Sequence, residues 1–257
     1  MAFDAGVRTG TDFLNLRFDA LDFDAALDAI AARASLDTAF AYVTTPNVDH
    51  VVGLAREPSR RELYERAWLT LNDSRVLEAL AARAGVKLAA TPGSDLVDAL
   101  FDRVIDRHEP IAIIGGDAGM IEELIRRYRL TDVRWHQPPM RLKGKPDAIV
   151  DAAAFAARQR ARFTFICVGA PQQEMIAYAI SLQPGASGVG ICAGASLEFI
   201  TGRAQRAPAR MRAMGLEWLH RLVHEPRRLW RRYLVNGPYV FSLFWAWRAE
   251  MAAASAA

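Results

Sequence analysis

The sequence predicts an α/β protein: a doubly wound, mostly parallel sheet followed by a helical, basic C-terminal appendage. Three observations carry that prediction. From about residue 13 to residue 200, short β-branched or aromatic runs alternate with amphipathic stretches, the pattern of a sheet covered by helices. Runs such as Ile111–Ile114 and Phe163–Val168 are apolar without alternation, as central parallel strands buried on both faces should be. At about Gly202 the chain turns Arg-rich and Trp-rich, with four of its six tryptophans (218, 230, 245 and 247) in the last 40 residues. That change divides the chain into an α/β core, 1–201, and an appendage, 202–257.

Strands are expected near 13–18, 38–44, 68–72, 110–115, 132–136, 162–169 and 187–192. Helices are expected near 23–34, 47–56, 58–67, 75–84, 94–107, 118–129, 147–160 and 172–181. In the first helix Phe23, Leu27 and Ile30 recur at i, i+4 and i+7 and share one face. Pro208, Pro226 and Pro238 should cut the appendage into short helical pieces, because proline fits a first turn and interrupts an interior. The small-residue tail after Met251 is expected to fray.

Composition narrows the function classes. A chain of 257 residues that is 52% hydrophobic and 24% charged is neither disordered, collagenous nor a disulfide mini-fold. Cys167 and Cys192 each sit in an apolar run and read as buried thiols of a reducing compartment. The first residues lack the basic-then-apolar signature of a secretory signal, and no window approaches 18 uninterrupted apolar residues; a cytoplasmic protein is expected. Residues 201–250 hold ten arginines against three glutamates, a balance of +7, while the remainder carries −4. Such asymmetry points to an anionic partner.

Candidate site residues cluster where strands end and helices begin. Thr45-Pro46-Asn47 follows an apolar strand; Asn47 suits an N-cap and equally a pocket at the carboxyl edge of an open sheet. Asp73, in Asn72-Asp73-Ser74, suits either a helix cap or a general base held by rigid structure. Gly93-Ser94-Asp95 opens a helix whose free N–H groups could meet an anion. Gly115-Gly116 makes another strand-to-helix turn, but without the spacing of a dinucleotide fingerprint, and no P-loop occurs; oxidoreductase and P-loop readings weaken. Gly169-Ala170-Pro171-Gln172-Gln173-Glu174 places two amides and a carboxylate at a strand end, more polar hardware than a turn needs.

Two metal patterns are discounted. Asp22-Phe23-Asp24 matches D-x-D but stands where carboxylates favour a helix N-terminus. His220 and His224 share a helical face but lack a third ligand. Arg221, Arg228 and Arg231 are spaced 7 and 3 apart, within about 80° of arc if one helix runs through Pro226. Interleaved with Trp218, Leu222, Leu229, Trp230 and Tyr233, they suit the headgroup layer of a membrane.

Taken together, TPNVD (45–49), NDS (72–74), GSDL (93–96), GAPQQE (169–174), GASLEF (194–199) and LEWLHRLVHEPRRLWRRYL (216–234) resemble the WecG/TagA/CpsF family of bacterial glycosyltransferases over roughly residues 10–236. The resemblance implies a Rossmann-like core and an inverting transferase without an essential metal or cofactor. It would move a sugar from a UDP-sugar to a polyprenyl-diphosphate-linked saccharide, for a cell-surface polymer or exopolysaccharide, at the inner face of the cytoplasmic membrane. Asp73 then resembles the catalytic base, Thr45 and Asn47 residues near the reacting centre, Gln173 the pocket glutamine, and Arg221, Arg228 and Arg231 the appendage arginines. Gly93, Ser94, Gly115 and Gly169 are the accompanying substrate-binding candidates. Ser74 stands where the family has glycine, Ala90 where it has arginine, and His136–Met140 where it is aromatic-rich.

The chemistry sets two needs. The base must be ionised at neutral pH, which an aspartate of ordinary pKa near 3.9 achieves readily, aided by nearby cations. The leaving diphosphate needs cations, and bidentate guanidinium groups suit it, so Arg221, Arg228 and Arg231 are expected to face the pocket or the lipid diphosphate. The stretch Pro238–Trp247 is expected to dip into the headgroup layer or pack on a neighbouring subunit. Expected partners are the nucleotide sugar, the lipid-linked acceptor and an anionic membrane surface, with no nucleic acid. The donor (glucose, N-acetylmannosamine or its uronic acid), the acceptor and assembly as a homo-oligomer stay open. The competing reading is a non-catalytic α/β module tethered to membrane or nucleic acid by its basic segment.

Overall fold

The computed structural model describes residues 10–256. The chain opens with a two-stranded antiparallel hairpin, β1 (Gly10–Phe13) and β2 (Leu16–Asp19), where one strand over 13–18 was expected. Leu14 and Asn15 turn the chain with φ of 53° and 60°, a left-handed pair that closes tight hairpins. No glycine marks the turn, and Phe13, Leu14 and Leu16 are all buried, so the run reads as continuous.

Six parallel strands form the main sheet: β3 (Ala41–Thr44), β4 (Leu69–Thr70), β5 (Ile111–Gly115), β6 (Val133–His136), β7 (Phe163–Cys167) and β8 (Val189–Cys192), in the order β4-β3-β8-β7-β5-β6. The helices are α1 (Phe23–Arg33), α2 (Val48–Arg56), α3 (Glu62–Glu65), α4 (Arg75–Arg83), α5 (Gly93–Ala99), α6 (Ala118–Tyr128), α7 (Pro146–Gln159), α8 (Gln172–Ser181) and α9 (Ser196–Ile200). The appendage adds α10 (Ala209–Ala213), α11 (Glu217–His224), α12 (Pro226–Trp230), a π-helical turn over Arg231–Asn236, and α13 (Tyr239–Ala256). Helices thus cover a parallel sheet on both faces, the predicted class.

Side-chain alternation along the strands sorts the core into two layers. Ile111, Ile113, Phe163 and Phe165 face α1, α5, α6 and α9, whereas Ile114 and Ile166 face α7 and α8. Both layers exclude water, which is why these strands show no polar alternation. Asp22 caps α1, accepting the Ala25 N–H at 2.9 Å; the first carboxylate of the D-x-D pattern is spent on helix termination.

A third apolar cluster joins the two ends of the chain. Val240, Phe244 and Trp247 of α13 pack with Phe13, Phe18, Val51, Val52, Leu77 and Leu80. The Phe13 ring meets the Trp247 and Phe244 rings edge-on, with centroids 5.1 and 6.3 Å apart. Pro238–Trp247 therefore does not lie wholly at a surface. One face of α13 is buried in the protein, while Phe241 and Trp245 on the other are 50% and 63% exposed. The small-residue tail also departs from expectation, continuing as helix to Ala256.

The helix through Pro226 does not form. Glu225 takes φ −130°, ψ 55°, ending α11, and Pro226 opens α12 as its first residue, because proline has no N–H to continue the ladder. The common arc inferred for Arg221, Arg228 and Arg231 loses its premise.

Truncating Phe244 to alanine should empty the centre of this third cluster and cost about 3–5 kcal/mol of stability. A denaturant-unfolding midpoint shifted by far less than that would show that the appendage is docked by other contacts.

Candidate active site

A cleft of about 940 Å³ opens over the carboxyl ends of β3, β4, β7 and β8 and is roofed by the appendage. Its floor is set by backbone pairing. The Leu71 N–H donates to Thr44 O at 2.9 Å, the Asp73 N–H to Pro46 O at 3.0 Å, and the Thr91 N–H to Asn72 O at 2.7 Å. Thr44 and Thr70 hydroxyls meet at 3.1 Å across the two strands. These bonds fix Thr45, Asn47, Asp73 and Gly93 side by side, and all four line the cleft.

The structure separates the two readings of Asp73. The cap of α4 is Ser74, whose hydroxyl accepts the Leu77 N–H at 3.2 Å. Asp73 is left with its carboxylate in the cleft, where Oδ1 accepts the Gly93 N–H at 3.1 Å. Gly93 is needed there: a Cβ would stand 2.8 Å from Thr45 Oγ1, closer than packed atoms allow.

Burial pushes the Asp73 carboxyl up to about 7, with Glu217 adding to the rise, while the Gly93 N–H, His50 and Arg221 pull against it. The expectation of an ordinary, readily ionised aspartate is thereby corrected: desolvation outweighs the cations. A base near pH 7 is the better matched for proton abstraction.

Asn47 caps α2 and also lines the cleft. Its Oδ1 accepts the Asp49 N–H at 3.1 Å, capping α2, and its own N–H donates to Nδ1 of His50 at 3.2 Å. Gln173 and Gly169 line the wall from the loop after β7. Ser94 also lines the cleft, its hydroxyl held at 2.8 Å by Arg206, which pairs with Asp95 at 2.5 Å. Arg212 approaches the same carboxylate at 3.4 Å.

Gly115 lies elsewhere. It is buried at φ +99°, where a Cβ would stand 2.6 Å from Cys167 O, so its glycine serves the close packing of β5 on β7. The cleft occupies the other half of the sheet, and neither Gly115 nor His136–Met140 contributes to its walls.

The roof sorts the arginines. Arg221 lies over the Phe199 ring at 5.2 Å and lines the cleft. Arg228 also lines it and pairs with Glu225 at 2.5 Å. Arg231 points away, exposed beside the Trp230 ring at 5.2 Å; Arg232 takes the cleft-side place and approaches Asp49 at 3.3 Å. Arg206, Arg212 and Arg221 each keep a buried Nε without a hydrogen-bond partner among the described residues, whereas Arg232 Nε faces Asp49 Oδ2.

Spacing in the sequence missed Arg232, because the break at Glu225 and the π-helical turn reset the angular register, and Arg212, which lies on the separate helix α10 outside the spaced set. His50, three residues after Asn47 and also lining the cleft, was missed as well, while Glu174, the carboxylate noted beside the paired amides, is fully buried behind Gln173. His220 and His224 stack on each other, ring centroids 4.1 Å apart. Among the described residues no group of three or more His, Cys, Asp or Glu side chains could hold a metal ion.

A cleft at the carboxyl edge of a parallel α/β sheet thus sets one carboxylate, Asp73, opposite several guanidinium groups. Residues 11–254, nearly the whole chain, match the family described as Glycosyl transferase WecG/TagA/CpsF family. The chain belongs to that family and is a glycosyltransferase, with a sugar donor and an acceptor as substrates.

Two outcomes are expected. Activity should rise with pH through about 7, the limb disappearing in Asp73→Asn. Because Asp73 holds its proton longer folded (to about 7) than unfolded (to 3.8), it erodes stability as pH rises through that window; Asp73→Asn should therefore gain thermal stability over the parent at pH 8 more than at pH 4. Separately, Arg221→Ala should lower kcat/KM about ten- to hundredfold, the weight of a charge-assisted hydrogen bond, while Arg231→Ala changes it less than threefold; equal losses would refute the division of the roof.

Proposed function

We propose that this glycosyltransferase is inverting and metal-independent, moving a sugar from a UDP-sugar to a polyprenyl-diphosphate-linked saccharide at the inner face of the cytoplasmic membrane, in cell-surface polysaccharide assembly. The observation that carries the reading is the opposition of Asp73, on the floor of one cleft, to Arg212, Arg221, Arg228 and Arg232 on its roof.

In a single displacement, Asp73 takes the proton of the acceptor hydroxyl as its oxygen bonds to the anomeric carbon. The bond from that carbon to the diphosphate oxygen breaks, and its electron pair leaves with UDP, inverting the centre. The roof guanidinium groups supply the positive charge the departing diphosphate needs, and unsatisfied donors among them await acceptor oxygens. Thr45, Asn47 and Gln173 orient sugar hydroxyls, the Gly93-Ser94 turn lies beside the base, and Gly169 keeps the wall low.

A lipid-linked acceptor suits the mouth of this cleft. Leu234, Pro238 and Phe241 line it, and they continue into exposed Val235, Tyr239 and Trp245. Apolar and indole groups beside arginines favour an anionic bilayer surface, each arginine near it contributing about 1 kcal/mol. No helix among the described residues is long and apolar enough to cross a membrane, so attachment would be peripheral.

The test is product formation from a UDP-sugar and a prenyl-diphosphate acceptor in EDTA. Asp73→Ala should lose about a hundredfold or more of turnover, the usual share of a general base; unchanged turnover would remove Asp73 from that role. In flotation, the protein should rise with anionic vesicles and Phe241→Ser/Trp245→Ser should not.

A further inference from the structure

Behind Gln173 lies a fully buried carboxylate, Glu174, that the transfer chemistry does not use. Its Oε1 accepts the Gln173 Nε2–H at 2.8 Å and stands 3.6 Å from His50 Nε2, while its Oε2 has no partner among the described residues. Gln173 Oε1 accepts the Gly194 N–H at 2.8 Å. The His50 side chain is nearly buried, with Nδ1 3.2 Å from Asn47 N and 2.9 Å from Asn47 Oδ1, and its Nε2 has no hydrogen-bond partner among the described residues.

Burying a carboxylate costs several kcal/mol unless it is compensated. Here the first turn of α8 and the Gln173 amide supply the compensation. An apolar side chain would fill the same space without that cost, so a carboxylate at this place calls for a reason beyond packing. The reason lies in the amide. A primary amide can turn over, exchanging its donor and acceptor ends. Gly194 offers only a donor and Glu174, as carboxylate, only an acceptor; between them the Gln173 amide has one allowed orientation.

We propose that Glu174 is the positioning residue for Gln173, fixing which end of the amide a sugar hydroxyl meets in the cleft. This rests on the nucleotide-sugar reading above. Glu174 touches no substrate: it acts through Gln173.

Two measurements test it. In the ligand-free protein, NMR should show the Gln173 side-chain amide protons exchanging far more slowly than solvent-exposed amides. Fast exchange there overturns the proposal whether or not any sugar is transferred. In kinetics, Glu174→Leu should raise the donor KM about ten- to hundredfold with kcat little changed, and Glu174→Gln, which keeps an acceptor, should recover most of the loss. In a Gln173→Ala background, Glu174→Leu should add nothing further. An additive loss, or an unchanged KM in folded Glu174→Leu, refutes the role. Should the parent enzyme fail to use any UDP-sugar, the nucleotide-sugar reading falls, while the exchange measurement still decides the positioning.

Discussion

The backbone bonds that zip the loop after β3 to the loop after β4 decide where Asp73 can be. Parallel strands present their following loops at one edge, but do not by themselves bring two of them into register. Here Asp73 N–H to Pro46 O, extended by Thr91 N–H to Asn72 O, draws three loops into one floor. The carboxylate is then lodged among backbone and Gly93, half-buried at the floor of the cleft, and burial raises its proton affinity. Had the same aspartate served as the cap of α4, it would have been spent on the helix; Ser74 releases it.

The roof depends on packing more than on charge. Arg206 and Arg212 reach Asp95, and Arg232 reaches Asp49, but partly exposed ion pairs contribute about 0–1 kcal/mol each. Burial of Phe244 and Trp247 against the N-terminal hairpin is worth several times that. The aromatic cluster keeps the appendage attached. Core and appendage, distinct in composition, thus share one hydrophobic cluster.

Much of this was legible beforehand. Continuous apolar runs at Ile111–Ile114 and Phe163–Val168 located central strands because burial on both faces removes alternation. Motifs at strand ends located Thr45, Asn47, Asp73, Gly93 and Gln173, since a parallel sheet gathers such loops at one edge. What escaped notice depended on geometry with no local signature. The hairpin turns on a left-handed Leu-Asn pair rather than a glycine. Arg231 and Arg232 exchange places through a break at Glu225 and a π-helical turn, neither of which spacing can foresee. Gly115 was misplaced because every strand-end glycine looks alike until sheet order shows which half carries the cleft. The elevated proton affinity of Asp73 required knowing how far the fold buries it.

Helix α13 has one side turned inward and the other outward, and that double duty constrains anyone who handles the enzyme. Trimming the C-terminus to obtain a better-behaved preparation would strip the hairpin of its covering aromatics along with the greasy outer residues. Resurfacing the outward side alone, at positions such as 241 and 245, is the route that leaves the scaffold whole.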